Sequence, residues 1–304
     1  MKARPWEFFG KFIPGSRPED KTGCVRMMSS EVRITIIADN LAARGLSTEH
    51  GLALWIEAVG KRILFDTGQG ITLEENAREL GIDLSGTDMI VLSHGHYDHT
   101  GGISRVLRLS RNAVVYGHPG IVHPRYAVRN GTATAIHMPR ESMAALDRLP
   151  SEKLRWIQQS VLLPKNIGLT GPIPRETGWE DTGGPFYLDP KGTRVDPIDD
   201  DLAFWIPTGK GVVLCVGCSH GGLVNTLNHV RRLSGDLPIR AVVGGFHLVN
   251  ASRERLDRTV EALRRLDPEQ VIPCHCTGPS AVARLVDELG ERVTPGAAGM
   301  TFTF

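Results

Sequence analysis

The run His94-Gly95-His96-Tyr97-Asp98-His99 constrains this chain more than any other feature. Three imidazoles and a carboxylate fall within six residues, directly after the apolar residues 89–92 and before Thr100-Gly101-Gly102. So short an apolar run suits a strand buried on both faces. The period of two puts His94 and His96 on one side of an extended chain, while Asp98 and His99 point elsewhere once the chain turns. Donors of this kind at a strand end suit a metal, and their two directions leave room for a second ion roughly 3.5–4 Å from the first. Further ligands must then come from other strand ends.

The rest of the chain reads as strands followed by β-α units in both halves. Residues 32–38 form a β-branched strand, and 51–59 and 61–65 form a strand pair turning at Gly60. Residues 71–80 are helical and stop at Gly81, as helices often do at glycine. Residues 102–109 form a helix and 113–116 a strand. Eleven of the 19 prolines fall in residues 119–207, which predicts a long irregular lid or binding loop. Beyond it lie a hairpin (202–206 and 212–216, turning through 208–211), helix 223–233, strand 239–243, helix 252–266, strand 270–272 and helix 280–289. Residues 31–304 are thus expected to be one domain with a Pro-rich insertion at about 119–200.

Composition excludes several classes. At 41% hydrophobic and 23% charged the chain is neither disordered nor collagen-like. Its 35 Lys+Arg against 34 Asp+Glu lack the bias of a nucleic-acid binder. No apolar run approaches the ~18–20 residues that cross a bilayer. Five cysteines, an odd number, do not suggest a disulfide framework, and a reducing cytoplasm is expected. Residues 1–30 read as an N-terminal extension, because Pro5, Glu7, Gly10, Lys11 and Pro14 interrupt any secretory apolar segment. That extension packs on the domain or on a partner subunit, which allows a homo-oligomer. Met27 and Met28 are alternative starts.

His94, His96, Asp98 and His99 match the H-x-H-x-D-H signature of the metallo-β-lactamase superfamily, which this chain resembles from about Val32 onward. Phe65-Asp66-Thr67-Gly68 is similar to that superfamily's upstream aspartate motif. Gly217-Cys218-Ser219-His220 and Pro273-Cys274-His275-Cys276 stand where its later ligands lie. The resemblance implies an α/β fold, a four-layer αβ/βα sandwich with metals at one edge. It implies a divalent cofactor, two zinc ions with manganese or iron as substitutes. It also implies His94, His96, Asp98, His99, His220 and His275 as ligands, with Asp66 and Cys218 supporting them. Two departures stand out. Cys218 occupies the usual place of a bridging aspartate, and an intermediate histidine has no clear counterpart, His118 being better placed than His123 or His137. His247 ends a strand on the same rim, where it meets substrate or metal, whereas His50 and His229 lie away from strand ends and receive no role. A four-cysteine zinc site from Cys215, Cys218, Cys274 and Cys276 is disfavoured, since Cys215 lies inside an apolar strand and His275 is the better ligand.

The segments 217–226, 244–248 and 275–278, with 166–175 and 199–203, are similar to the branch named for 7,8-dihydropterin-6-yl-methyl-4-(β-D-ribofuranosyl)aminobenzene 5′-phosphate synthase. The reading favoured is a metal-dependent hydrolase using a metal-activated water on a small phosphorylated or ester substrate, with Asp98 and His220 catalytic. The alternatives are a pterin-forming transferase that condenses a dihydropterin diphosphate with release of diphosphate, and a metal-binding sensor without turnover. Gly101-Gly102 and Gly221-Gly222 at helix starts offer N–H groups to an anion. Arg175, with Arg125, Arg129 and Lys165, is placed to reach a phosphate, and His118, His247 and Phe246 to line a substrate cleft. Trp156, Trp179, Phe186 and Tyr187 are placed to stack on a flat ring such as a pterin. The expected partner is a small molecule, with neither nucleic acid nor membrane.

Overall fold

Side-chain alternation along the strands builds the layers. In the computed structural model, which describes residues 31–304, the first half contains β1 (Val32–Ala38), β2 (Ala53–Ala58), β3 (Lys61–Phe65), α1 (Leu73–Glu79), β4 (Met89–Val91), α2 (Tyr97–Thr100), α3 (Ile103–Leu109) and β5 (Val114–Gly117). The Pro-rich stretch contains β6 (Tyr126–Arg129), β7 (Thr132–Ala135), α4 (Arg140–Asp147), β8 (Leu154–Trp156), β9 (Val161–Leu163), β10 (Ile167–Leu169) and β11 (Phe186–Tyr187). Then follow β12 (Phe204–Thr208), β13 (Gly211–Val216), α5 (Leu223–Leu233), β14 (Ile239–Gly245), α6 (Arg253–Leu266), β15 (Gln270–Cys274), α7 (Pro279–Leu289) and β16 (Thr301–Thr303). The extension expected over residues 1–30 lies outside the described residues.

A seven-stranded sheet runs β16-β1-β2-β3-β4-β5-β8, a six-stranded sheet runs β15-β14-β13-β12-β10-β9, and a small sheet runs β11-β6-β7. Ile34, Ile56, Ile63, Phe65 and Val91 of the first sheet meet Phe204, Ile206, Val213, Cys215 and Val243 of the second in one buried cluster. Alternate residues face the other way. Trp55, Leu64 and Ile90 pack against Leu73, Ile103 and Leu146 of the helices α1, α3 and α4. Leu214, Val216 and Val242 pack against Leu227, Leu263 and Leu285 of α5, α6 and α7. This is the expected four-layer αβ/βα sandwich. Cys215 and Cys274 belong to the inter-sheet core, so neither contributes to a zinc site.

Strand direction creates a chemical rim. β3, β4 and β5 are parallel to one another, as are β13, β14 and β15. The residues just after β3, β4, β13, β14 and β15 therefore gather at one edge. β2 is antiparallel to β1 and β3, so the residues before β2 reach the same edge.

The irregular lid expected over residues 119–207 is corrected: β8 joins the first sheet and β9 and β10 join the second. These strands have three residues each, too few for alternation to be legible in sequence. Gly168 in β10 is required by packing, since a Cβ there would lie 2.0 Å from the Trp205 ring. Among the described residues, no helix is long and apolar enough to cross a membrane.

Phe204 is 1% exposed, and its ring centroid lies 6.2 Å from that of Phe65 across the two sheets. Phe204→Ala is expected to destabilise the fold by about 3–5 kcal/mol, because truncation leaves a cavity between rigid sheets. Urea unfolding checks this, and a loss under about 1 kcal/mol would contradict the packing described.

Candidate metal centre

Asp66, directly after β3, anchors the histidine loop. Its carboxylate is fully buried and accepts hydrogen bonds from Ser93 N, Ser93 Oγ and His99 Nδ1, each at 2.7 Å. Because the Ser93 hydroxyl proton goes to Asp66, Ser93 Oγ accepts from His94 Nδ1 at 2.9 Å. The other histidines are oriented in the same way. His220 Nδ1 donates to Thr182 O at 2.7 Å, and His275 Nδ1 donates to Asn40 Oδ1 at 2.8 Å. For His94, His220 and His275 the bond fixes a tautomer whose Nε2 lone pair faces inward, the outer-partner arrangement found around metal-ligating histidines.

The inward atoms converge. His94 Nε2 lies 3.0 Å from His96 Nδ1, so a proton or a cation must sit between them. The His94 ring centroid lies 4.3 Å from His99 and 4.7 Å from His220. His99 Nε2 lies 3.1 Å from Cys218 Sγ, and Asp98 Oδ2 lies 3.4 Å from His275 Nε2. His96 Nε2, His220 Nε2 and His275 Nε2 are buried without a hydrogen-bond partner. Four clusters bring donor atoms within 4.8 Å of one another: His94/Cys218/His220, His99/Cys218/His275, Cys218/His247/Cys276 and His50/Asp98/His275. Orphaned nitrogens, a buried thiol and a carboxylate form a donor set that fits divalent cations.

Burial sets the protonation. It drives His96 down to about 3 and His275 down to about 4, and it holds His94 and His220 well below the usual imidazole range. Neutral imidazole is the form that ligates. Burial would lower His99 too, but the Asp66 and Asp98 carboxylates outweigh it and raise that ring to about 9. Burial also pushes the Cys218 thiol far up, with Cys276 beside it adding to the effect. The backbone is strained at the same edge: Asp66, Ser219, His247 and His275 have φ of 58°, 56°, 45° and 49°. Positive φ at such residues costs of order 1–3 kcal/mol each and clusters at functional sites.

Carboxylates hold the loops from outside. Gly95 N donates to Asp200 Oδ2 at 2.8 Å, Gly221 N to Asp201 Oδ2 at 2.6 Å, and His275 N to Asp39 Oδ1 at 2.8 Å. Asp200 is in turn forked by Arg125 through bonds of 2.7 and 2.5 Å, and Arg125 Nε lies 2.8 Å from Asp196 Oδ2. All three residues of this triad are at most 2% exposed.

Several expectations change. Phe246 is fully buried in the core beneath α5–α7, so it does not line a cleft. Arg175 donates to His220 O at 2.8 Å and to Pro197 O, which makes it a tether for the His220 loop. His118 Nδ1 accepts from Gly120 N at 3.1 Å and joins none of the donor clusters. The α5 N-terminus is already occupied: Glu180 accepts from Val224 N and Asn225 N, each at 2.9 Å. Gly101 N and Gly102 N are likewise committed, to Gly68 O and Thr67 Oγ1. Arg125 is spent on its triad, and Lys165 donates to Val59 O at 2.9 Å. Of the four aromatics proposed for stacking, Phe186 lies against the centre, its ring centroid 5.3 Å from His96 and 5.4 Å from His220.

His50 was missed. Its Nε2 lies 3.2 Å from Asp98 Oδ2, and its ring centroid lies 4.9 Å from that of His275. Unlike the buried histidines it is exposed, which places it at the mouth of the site. The signal was its position just before an antiparallel strand. Cys276, considered from sequence only as part of a four-cysteine site, lies instead with Cys218 and His247.

The model of the metallo-β-lactamase superfamily matches residues 47–275. An uncharacterized protein of Methanocaldococcus jannaschii is 37% identical over 255 residues, 83% of this chain and 93% of its own length. A second protein of that organism, named 7,8-dihydropterin-6-methyl-4-(β-D-ribofuranosyl)-aminobenzene-5′-phosphate synthase, is 30% identical over 272 residues, 84% of this chain and 90% of its own. Among solved structures, a metal-dependent hydrolase of the β-lactamase superfamily matches with a TM-score of 0.76 at 28% identity, covering 89% of this chain and 98% of that one.

Arg125→Met leaves Asp196 and Asp200 buried without their cation and is expected to cost about 3–5 kcal/mol. Burial alone would raise Asp200, but Arg125 holds it below the ordinary carboxylate value. The Arg125–Asp200 pair therefore stabilises the native state above the unfolded carboxylate pKa, about 4, and that contribution is lost as pH falls through the lower native value. Without Arg125 the buried Asp200 ionises at a cost, so the deficit should be larger at about pH 8 than at about pH 5. Urea titrations at the two pH values check this, and an equal, small deficit at both would contradict it.

Proposed function

The chain belongs to the metallo-β-lactamase superfamily, and on that premise we propose that it is a metal-dependent hydrolase acting on a small phosphorylated or ester substrate. The observation that carries this is the convergence of buried, unpartnered imidazole nitrogens on Cys218 and Asp98. His94, His96 and His220 would hold one divalent cation, and Asp98, His99 and His275 a second, with Cys218 between them. Bound there, such cations supply Lewis acidity toward a phosphoryl or carbonyl oxygen and lower the pKa of water to about 7.

The chain's own groups do the positioning. Asp98 Oδ2, ionised at neutral pH because the charged His99 ring and the hydrogen bond from His50 outweigh its burial, accepts a hydrogen bond from the attacking water and orients it. His220 keeps its Nε2 lone pair inward because Thr182 O holds its Nδ1 proton. Asp66 fixes His99, and the Asp200 and Asp201 carboxylates keep the two histidine loops in register. The half-buried Phe186 ring shields the centre from water and offers a face to a flat or apolar substrate group.

A second reading has its own support, the relative named as a pterin-forming synthase that matches over most of both chains. In a transferase, divalent cations held by the same donors would neutralise a diphosphate leaving group, with Phe186 against the pterin ring.

Metal analysis of the purified protein, with phosphodiester and lactone screening in zinc, manganese and iron, tests the hydrolase. His96→Ala should lose bound metal and at least about 100-fold in turnover while remaining folded. Full metal content and full activity in that variant would refute the proposal. Diphosphate released from a dihydropterin diphosphate only when an arylamine acceptor is present would favour the transferase instead.

A further inference from the structure

We propose that Cys218, Cys276 and His247 form a sulfur-rich metal-binding group of their own, beside the histidine centre. The ligand set expected from the family resemblance contains neither Cys276 nor His247, yet the donor atoms of these three buried residues all lie within 4.8 Å of one another. Cys218 links this group to the centre proposed above, so the inference rests on that reading at one residue and goes beyond it at two.

Local structure is arranged around the group. His247 follows β14 with φ of 45°, a conformation that costs a non-glycine residue of order 1–3 kcal/mol. The residue is 8% exposed and its Nδ1 is buried with no hydrogen-bond partner. Gly183 makes room for the ring, since a Cβ there would lie 2.1 Å from Nδ1. Gly245 does the same for sulfur: a Cβ at that position would lie 2.6 Å from Cys276 Sγ. The Cys276 thiol donates a long hydrogen bond to Cys218 O, at 3.8 Å. Cys215 and Cys274, by contrast, are spent in the apolar core between the sheets.

Two thiolates and an imidazole are soft donors that select Zn²⁺, Cd²⁺ or Cu⁺ over Mg²⁺ or Mn²⁺. Three protein ligands leave a fourth tetrahedral position open. On binding a divalent ion, two sulfur–metal bonds and one nitrogen–metal bond form, the two thiol protons pass to solvent, and no group changes oxidation state.

Cd²⁺ is the probe, added to the full-length protein under reducing conditions and followed by its ultraviolet thiolate-to-metal charge-transfer absorption. The unmutated protein should show the intensity of two thiolates, and Cys276→Ser should halve it. His247→Ala should weaken Cd²⁺ binding at this position at least about tenfold while keeping two-thiolate intensity at saturation. His96→Ala should leave the Cys276-dependent half of the band in place, which separates this test from that of the histidine centre. A band unchanged by Cys276→Ser overturns the proposal. Should Cys276→Ser not fold, cadmium X-ray absorption on the unmutated protein decides: two sulfur neighbours support the group, and one or none overturns it.

Discussion

A dry pocket cannot hold this many imidazoles in their protonated form. His94, His96, His220 and His275 are at most 7% exposed, and charging any one of them would cost desolvation and repulsion from its neighbours. They are therefore neutral, with lone pairs aimed at a common centre, and a cation is the natural counterpart of such an arrangement. The outer bonds to Ser93, Thr182 and Asn40 make the arrangement unique by fixing which nitrogen carries the proton. His99 is the exception, because the Asp66 and Asp98 carboxylates outweigh its burial and keep the ring charged.

That constraint gives the Pro-rich segment its purpose. Instead of acting as a separate cover, it completes both sheets and returns side chains to the rim. Asp200 and Asp201 are neighbours in sequence, and each grips the backbone beside a different histidine, at Gly95 and Gly221. Glu180 caps α5, Thr182 holds His220, and Arg175 binds the His220 carbonyl. Asp181 reaches α6 through a 2.6 Å contact with the buried Arg255. Strain at His247 and His275 is tolerated because these surroundings over-determine the rim.

How much was legible in sequence follows the range of the interaction. Strand β1 and helix α5 begin and end where local composition places them, because alternation, helical periodicity and a glycine start are local signals. The histidine cluster was equally plain, its spacing being local too. Phe246 and His247 show the limit: adjacent residues at a strand end point to opposite sides, and sequence does not say which one enters the core. His50 was lost because strand direction, known only from pairing, decides whether the start or the end of a strand meets the rim. The helix starts read as anion cradles are already filled: Gly101, Gly102 and Gly221 donate to Gly68, Thr67 and Asp201, and Val224 to Glu180, partners 20–44 residues away whose arrival no local pattern announces, while Gly222 N donates locally to Ser219 O.

The central claim is that distant strand ends build one metal centre around the cluster that follows β4. Crystals of the metal-loaded protein, measured on both sides of the zinc absorption edge, test it most directly through the anomalous difference map. The strongest peak should lie within bonding distance of His94 and His96 nitrogens, about 2.0–2.1 Å, with His220 completing the imidazole set. Zinc found only at surface residues, with the His94–His96 pair bridged by a proton alone, would contradict the account.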